Sequence, residues 1–345
     1  MYEKDKKLQD CSGCLAGKKT RDEDARRRYD GDQDNYMISF GSPFAIDALQ
    51  KILPSKAMRR MNNKTQVFTM NKNLHVRTRA THSYEVANIS TLIARILGLN
   101  ENLCLAIALS HDFGHTPLGH LGEQFITQIT GKEFRHEIFG VVVAQKVERK
   151  GVGLNLTHQV LIGIQNHSSG SGELITTAGF EEGNVVKCAD KIAYIWDDIE
   201  DIFFRTKTFK IGDFPELKKL VGWFGKNQRE RCACCVKELC VESAEKGTVV
   251  FAESEAAQKF AAIKKEMYKV YYDLDIKNAF EILEKAYNTI AKKLSGSDVD
   301  PAIVLALMPD NEAMNNVLKD GSAVAEIAPF LKGKNIDFTD PDLDW

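Results

Sequence analysis

Two adjacent residues, His111 and Asp112, stand at the centre of a dense group of side chains able to ligate metal and move protons. The sequence reads Arg79-Ala-Thr-His82 at one end of this window and His111-Asp112-Phe-Gly-His115-Thr-Pro-Leu-Gly-His120-Leu-Gly-Glu123 at the other. Four of the eight histidines in the chain fall within it. Imidazole and carboxylate together suit a divalent cation of hard-to-borderline character. Neighbouring side chains converge on one ion only where the backbone leaves a straight helix, and Gly114 and Pro117 supply that break. The bland alternative is a set of capping and surface histidines, but the crowding of these groups favours a site.

The flanks must be helical to bring these residues together. Val86, Ile89, Ile93, Ile96 and Leu97 recur at helical spacing, and Gly98 follows where a C-terminal cap belongs. A second apolar run, Leu103 to Leu109, leads into His111. An antiparallel hairpin of these two helices puts His82 beside His111-Asp112. A further ligand is needed, and Asp190 is the best candidate. Val186, Ala189, Ala193 and Trp196 form an apolar stripe around it, while Asp190, Tyr194 and Asp198 share one helix face. A carboxylate bordering such a stripe costs free energy unless it is paired or bound to metal. Asp197, Glu200 and Asp201 read as a solvated acidic face. Phosphoryl chemistry at such a metal also wants cationic donors nearby, and Arg79 and Lys191 sit close to ligands in the chain.

His82, His111-Asp112 and Asp190 resemble the H…HD…D ligand set of the HD-domain phosphohydrolases. More narrowly, the chain is similar to the deoxynucleoside triphosphate triphosphohydrolases, including those that act on dGTP. The matching stretches are Ser55 to Phe68, Arg77 to Ser83, His111 to Glu123 and Val185 to Asp198, which together fall within about residues 42 to 205. The resemblance implies an all-α fold, an HD-domain helical core with additional C-terminal helices. It implies hydrolysis of a dNTP to deoxynucleoside and inorganic triphosphate by attack at the α-phosphorus. A cation in this site would lower the pKa of bound water and neutralise phosphate charge. Manganese, magnesium, iron, cobalt, nickel and zinc all accept such ligands to some degree.

The same resemblance makes His120 the general acid/base, Glu123 its orienting partner, and His115 and His136 phosphate-side residues. Gln66, Tyr194 and Asp198 become sugar-side residues. His167, in a small-residue segment, is either a substrate contact or an exposed loop residue. Relatives of this kind imply a homo-oligomer and a regulatory nucleotide. Two rivals stay open: another HD phosphohydrolase acting on monophosphates or phosphodiesters, and a nucleotide-sensing or single-stranded nucleic-acid-binding protein on the same fold.

The bulk properties agree with an ordinary globule of 345 residues, 43% hydrophobic and 27% charged, with a net charge of −2. That balance offers no global electrostatic case for nucleic acid or membrane. No run of 18 apolar residues occurs, so the expected location is the cytoplasm. Residues 1–36 read as a polar arm, mobile or docked on a partner, with Arg26, Arg27 and Arg28 in sequence. Residues 37–210 form the expected catalytic core and 211–345 a C-terminal helical region packed on it. Helical patterns stand out at 253–273, 276–294 and 301–308. Cys11 and Cys14 form a CxxC, and Cys232, Cys234, Cys235 and Cys240 cluster downstream. Their spacing matches no standard zinc site, which favours reduced, non-liganding thiols.

Overall fold

The computed structural model describes residues 6–30, 41–67, 73, 75–168, 179–272, 274, 278–314 and 322–345. Among the described residues it contains helices, short turns and two isolated β-bridges, and no strand, as an all-α fold requires. The segments 71–72 and 169–172, expected to be loop, lie outside the described residues. None of the described helices is long and apolar enough to cross a membrane.

The helix that carries His82 runs from Arg79–Leu97. It starts there because Thr78 and Thr81 cap each other: the Thr78 hydroxyl accepts the Thr81 N–H, and the Thr81 hydroxyl accepts the Thr78 N–H. It ends at Gly98, whose φ of +81° closes the last turn without steric cost. Asn100 then opens the next helix, Glu101–Ser110, by accepting the Leu103 N–H at 3.2 Å. The predicted hairpin therefore forms, and His111 caps its second arm. The helix carrying Asp190, Glu181–Ile199, packs across both. Ile93, Leu97, Leu103, Ile107, Ile192 and Trp196, all on these three helices, are buried in the core.

The C-terminal helices extend this core. Pro215–Phe224, Gln228–Lys246 and Glu255–Tyr272 cover the far side of the Asp190 helix. The Trp196 ring meets Phe224 at 5.1 Å and Phe260 at 5.9 Å, so one buried aromatic serves both regions. The first two of these helices have no counterpart in the sequence reading. Cys235 and Cys240 are buried on Gln228–Lys246 and act as small apolar residues. All eight cysteines are free, and none belongs to a group able to hold metal among the described residues.

The N-terminal segment corrects the picture of an arm reaching outward. Its described part, residues 6–30, is strapped onto the chain's own core. Gly13 N–H donates to the Ile96 carbonyl at 2.8 Å and Leu15 N–H to that of Leu97 at 2.9 Å. The Thr20 hydroxyl donates to buried Glu182 at 2.7 Å, and Arg27 pairs with buried Asp47 at 2.6 Å. Arg28 pairs with Asp342 at 2.6 Å. Two of the three consecutive arginines are thus committed to internal carboxylates.

Between the hairpin and the helix His120–Thr130 the chain turns sharply past the helix His136–Val142. Gly114 makes this possible, since a Cβ there would lie 2.0 Å from the His136 carbonyl oxygen and 2.3 Å from the Gly140 nitrogen. Both obstacles are backbone and cannot rotate away. Gly114→Ala is expected to cost about 3 kcal/mol or more of stability. Gly131→Ala, at a C-cap with φ +68° and open space around it, is expected to cost only about 1 kcal/mol. Urea denaturation of the two variants measures the difference, and equal losses would contradict the packing argument.

Candidate metal centre and catalytic cleft

Four side chains from three places in the chain meet on the floor of one cleft. The His82 Nε2 atom lies 2.9 Å from Asp190 Oδ1, and His111 Nε2 lies 3.7 Å from the same oxygen. His111 Nε2 is also 3.4 Å from Asp112 Oδ1. His82, His111 and Asp112 are fully buried, and each offers one donor atom within 4.8 Å of the others. His111 donates its Nδ1–H to the Ala108 carbonyl at 2.7 Å. That bond leaves the Nε2 lone pair exposed to the two carboxylates, and Nε2 has no hydrogen-bond partner. A lone pair facing two buried carboxylate oxygens is repulsive until a cation lies among them.

The protonation states fit the same demand. Burial pushes the His82 imidazole below its ordinary value. Burial also works against ionised Asp190, but the His82 hydrogen bond and the neighbouring imidazoles outweigh it and hold the carboxyl down at about 2. Asp112 is held well below the usual carboxylate range: burial opposes this, while His111, His115 and Arg79 prevail. Neutral imidazoles and ionised carboxylates are what a divalent ion binds. The residues present fit a metal.

Arg79 donates to Asp112 Oδ2 at 3.0 Å, so it orients a ligand carboxylate as well as facing the cleft. On the other side of Asp112, His115 Nε2 lies 3.0 Å from Oδ1. Three imidazoles then converge on Glu123: the Nδ1 atoms of His115, His120 and His136 each lie 3.1 Å from Oε1. His115 and His136 stack at 3.7 Å between ring centroids. His136 is raised above its ordinary value, since Glu123 overcomes the effect of burial, whereas burial and the charges of Arg79 and His136 push His115 down to about 3. His120 is the exposed member, 74% accessible on its side chain, at the cleft mouth.

The cleft has a volume of about 960 Å³, within the range of small-molecule sites. Gln66, Lys191, Tyr194 and Asp198 all line it, so every residue singled out from the sequence reaches one cavity or its floor. Gln66 Oε1 is buried with no hydrogen-bond partner. His167 is buried rather than loop-exposed, its Nδ1 bonded to the Ile164 carbonyl at 2.7 Å and its ring 5.0 Å from that of His111. Burial, followed by the charge of Lys264, lowers Lys191 to about 8.

Two features escaped the sequence. Tyr268 and Tyr271, from the C-terminal region, complete the wall beside Tyr194 and Asp198. Arg77 is the second. Its guanidinium lies 2.5 Å from Asp198, 3.3 Å from Asp201, 3.4 Å from Asp197 and 3.6 Å from Glu85. Asp197 and Asp201 are therefore buried counter-ions and not a solvated face, a correction that Glu200 shares in part through its 3.0 Å pair with Arg231. Arg77 did stand in a matching stretch, five residues before His82, and that was the available signal. Arg205 pairs with Asp201 at 2.6 Å, and the two arginines still face four acids. Asp198 accordingly rises from 3.8 to about 7, chiefly through burial, with Arg77 and the Tyr271 hydroxyl (2.5 Å away) opposing.

The family model described as HD domain matches residues 79–200, the segment that carries the hairpin and the Asp190 helix. The chain is also similar, more narrowly, to individual proteins. It is 33% identical over 302 residues to a deoxyguanosinetriphosphate triphosphohydrolase-like protein of Clostridium tetani, covering 86% of this chain and 82% of that one. A protein of the same description from Clostridium perfringens is 38% identical over 251 residues, 70% and 72% of the two chains. One from Caldanaerobacter subterraneus is 41% identical over 237 residues, 69% of this chain and 63% of that protein. The chain belongs to the deoxyguanosinetriphosphate triphosphohydrolase-like family.

Two measurements test the site without turnover. Manganese added to chelator-stripped protein at about 100 times its Kd should raise stability by about 2.7 kcal/mol, because it binds only the folded cleft. In His111→Ala that rise should vanish, as thermal melts with and without metal would show. For Asp198, the folded pKa is raised, so its contribution to stability is present below about pH 4 and lost as pH climbs towards 7. Asp198→Asn lacks this loss. Between pH 5 and pH 7 its stability relative to wild type should improve by on the order of 1 kcal/mol per pH unit, read from urea midpoints at both pH values.

Proposed function

We propose that this protein is a metal-dependent deoxynucleoside triphosphate triphosphohydrolase that releases inorganic triphosphate from a dNTP, with a dGTP-like substrate the first to test. The observation that carries this reading is the convergence of His82, His111, Asp112 and Asp190 on one buried point, with the His120–Glu123 couple across the same cleft. A divalent ion held by these four residues, manganese or magnesium in the first instance, would supply Lewis acidity and a water of lowered pKa.

The chain's own residues do the rest. Arg79 fixes the Asp112 carboxylate, and Arg79 and Lys191 offset negative charge on the phosphates. His115 and His136 bind on the phosphate side, with Glu123 setting their orientation. His120 lies at the cleft mouth with Nδ1 on Glu123, leaving Nε2 to give a proton to the departing 5′ oxygen. Gln66, Tyr194 and Asp198 take the sugar, where a buried polar atom left unpaired by the wrong substrate is costly. The description shared by the relatives, deoxyguanosinetriphosphate triphosphohydrolase-like, supports this reading in kind.

Incubation of the pure protein with each dNTP and manganese, followed by chromatography, should give deoxynucleoside and triphosphate in equal amounts. His111→Ala or Asp112→Ala should abolish release, with circular dichroism unchanged. Orthophosphate as the product would assign a different phosphohydrolase, and full turnover by either variant would refute the site.

A further inference from the structure

We infer that Asp310, in the C-terminal region, is a positioning residue for His120, and through Thr65 for Gln66. This rests on the reading of His120 as the proton donor. Asp310 is buried, and its carboxylate joins two segments that each carry a candidate active-site residue. Oδ1 accepts the Leu118 N–H at 3.1 Å. Oδ2 accepts the Thr65 N–H at 2.8 Å and the Thr65 hydroxyl at 2.6 Å. The backbone of Asp310 is itself anchored, donating its N–H to the Asn63 carbonyl at 3.0 Å.

What Asp310 holds is an unfavourable turn. Leu118 has φ +60°, a left-handed conformation that a branched side chain seldom adopts, and Gly119 follows at φ +58°. His120 is the first residue of the helix His120–Thr130, and Gly119 gives that helix no side-chain cap. The direction in which His120 leaves the turn is therefore set by how Leu118 and Gly119 are held. Three bonds hold them: the Leu118 N–H to Asp310, the Thr116 hydroxyl to the Gly119 carbonyl at 2.7 Å, and the Gly119 N–H to the Thr116 carbonyl at 3.2 Å. Lys64 closes the same knot by donating to the carbonyls of His115 and Ala306, which places a buried amine near Asp310. A carboxylate suits this position because it accepts from three donors with both oxygens. An amide of the same shape would turn an NH2 group towards either Leu118 N–H or Thr65.

The test uses the full chain loaded with manganese, with dGTP as substrate and triphosphate release as the readout. Asp310→Asn is expected to lower kcat by about 30-fold while KM moves by no more than about threefold, with metal content per chain unchanged. The deciding comparison is with His120→Ala. If Asp310 acts through His120, the double variant His120→Ala/Asp310→Asn is no slower than His120→Ala alone. Losses that multiply, or an Asp310→Asn enzyme within about threefold of wild-type kcat, overturn the inference. Should Asp310→Asn fail to fold, Thr65→Val removes one of the three donors and undergoes the same comparison. If the wild type releases no triphosphate from any dNTP, the proposed function fails and NMR of histidine-labelled protein decides the positioning claim. His120 ring resonances should then move in Asp310→Asn while those of His158, which packs on Trp345, stay in place. An unmoved His120 overturns it.

Discussion

Two carboxylates and two imidazoles crowded about one point define the constraint that the rest of the chain satisfies. Asp112 and Asp190 are ionised in a place where water is largely excluded, and the His111 Nε2 lone pair points at both. Desolvating a carboxylate costs several kcal/mol, more than one hydrogen bond returns. A helical hairpin capped at both ends and a third helix across it give these groups a rigid frame, and that frame prevents them from relaxing apart. Arg79 compensates one oxygen of Asp112. The remaining imbalance is what suits the site to a cation.

A second imbalance lies a short distance along the Asp190 helix. Arg77 and Arg205 face Asp197, Asp198, Asp201 and Glu85, and both Asp198 and Glu85 are raised, the latter to about 9. Burial is the first cause in each case, with the neighbouring carboxylates adding to it. Asp198 thus reaches the cleft as a group able to hold a proton near neutral pH, already bonded to Arg77 and Tyr271. The two ends of the Asp190 helix face differ in kind: Asp190 is kept ionised and Asp198 tends to neutrality. A face of that sort can meet a cation at one end and a sugar hydroxyl at the other.

How much of this was legible in the sequence follows from the range of the interactions. The hairpin, its glycine cap and the gathering of His82, His111, Asp112 and Asp190 were legible because periodicity and local spacing encode them. Asp197 and Asp201 were misread as solvated because a helix face with carboxylates looks the same whether it meets water or a buried arginine from elsewhere in the chain. His167 was ambiguous for the same reason, its burial being decided by the neighbouring His111 and His136 rings. The helix Gln228–Lys246 went unseen partly because Cys235 and Cys240 stand on its buried face where aliphatic residues are usual. The N-terminal segment is polar yet docked, since its anchors are individual carboxylates and backbone carbonyls and not an apolar stripe.

The C-terminal region is therefore part of the site, although no ligand of the proposed metal comes from it. Tyr271 bonds the Asp198 carboxylate in the cleft wall, and Lys264 acts electrostatically on Asp190 and Lys191. Asp310 ties the Thr65 segment to the turn before His120. Each of these interactions carries a charge or ends on one, and the Asp198 and Asp310 carboxylates are buried, so neither tolerates loss of a partner cheaply. Helices that only covered the core would meet it through apolar side chains alone. Here they also supply hydrogen bonds to the walls of the cleft, which couples the folding of residues beyond 250 to the geometry of side chains near 66, 120 and 198.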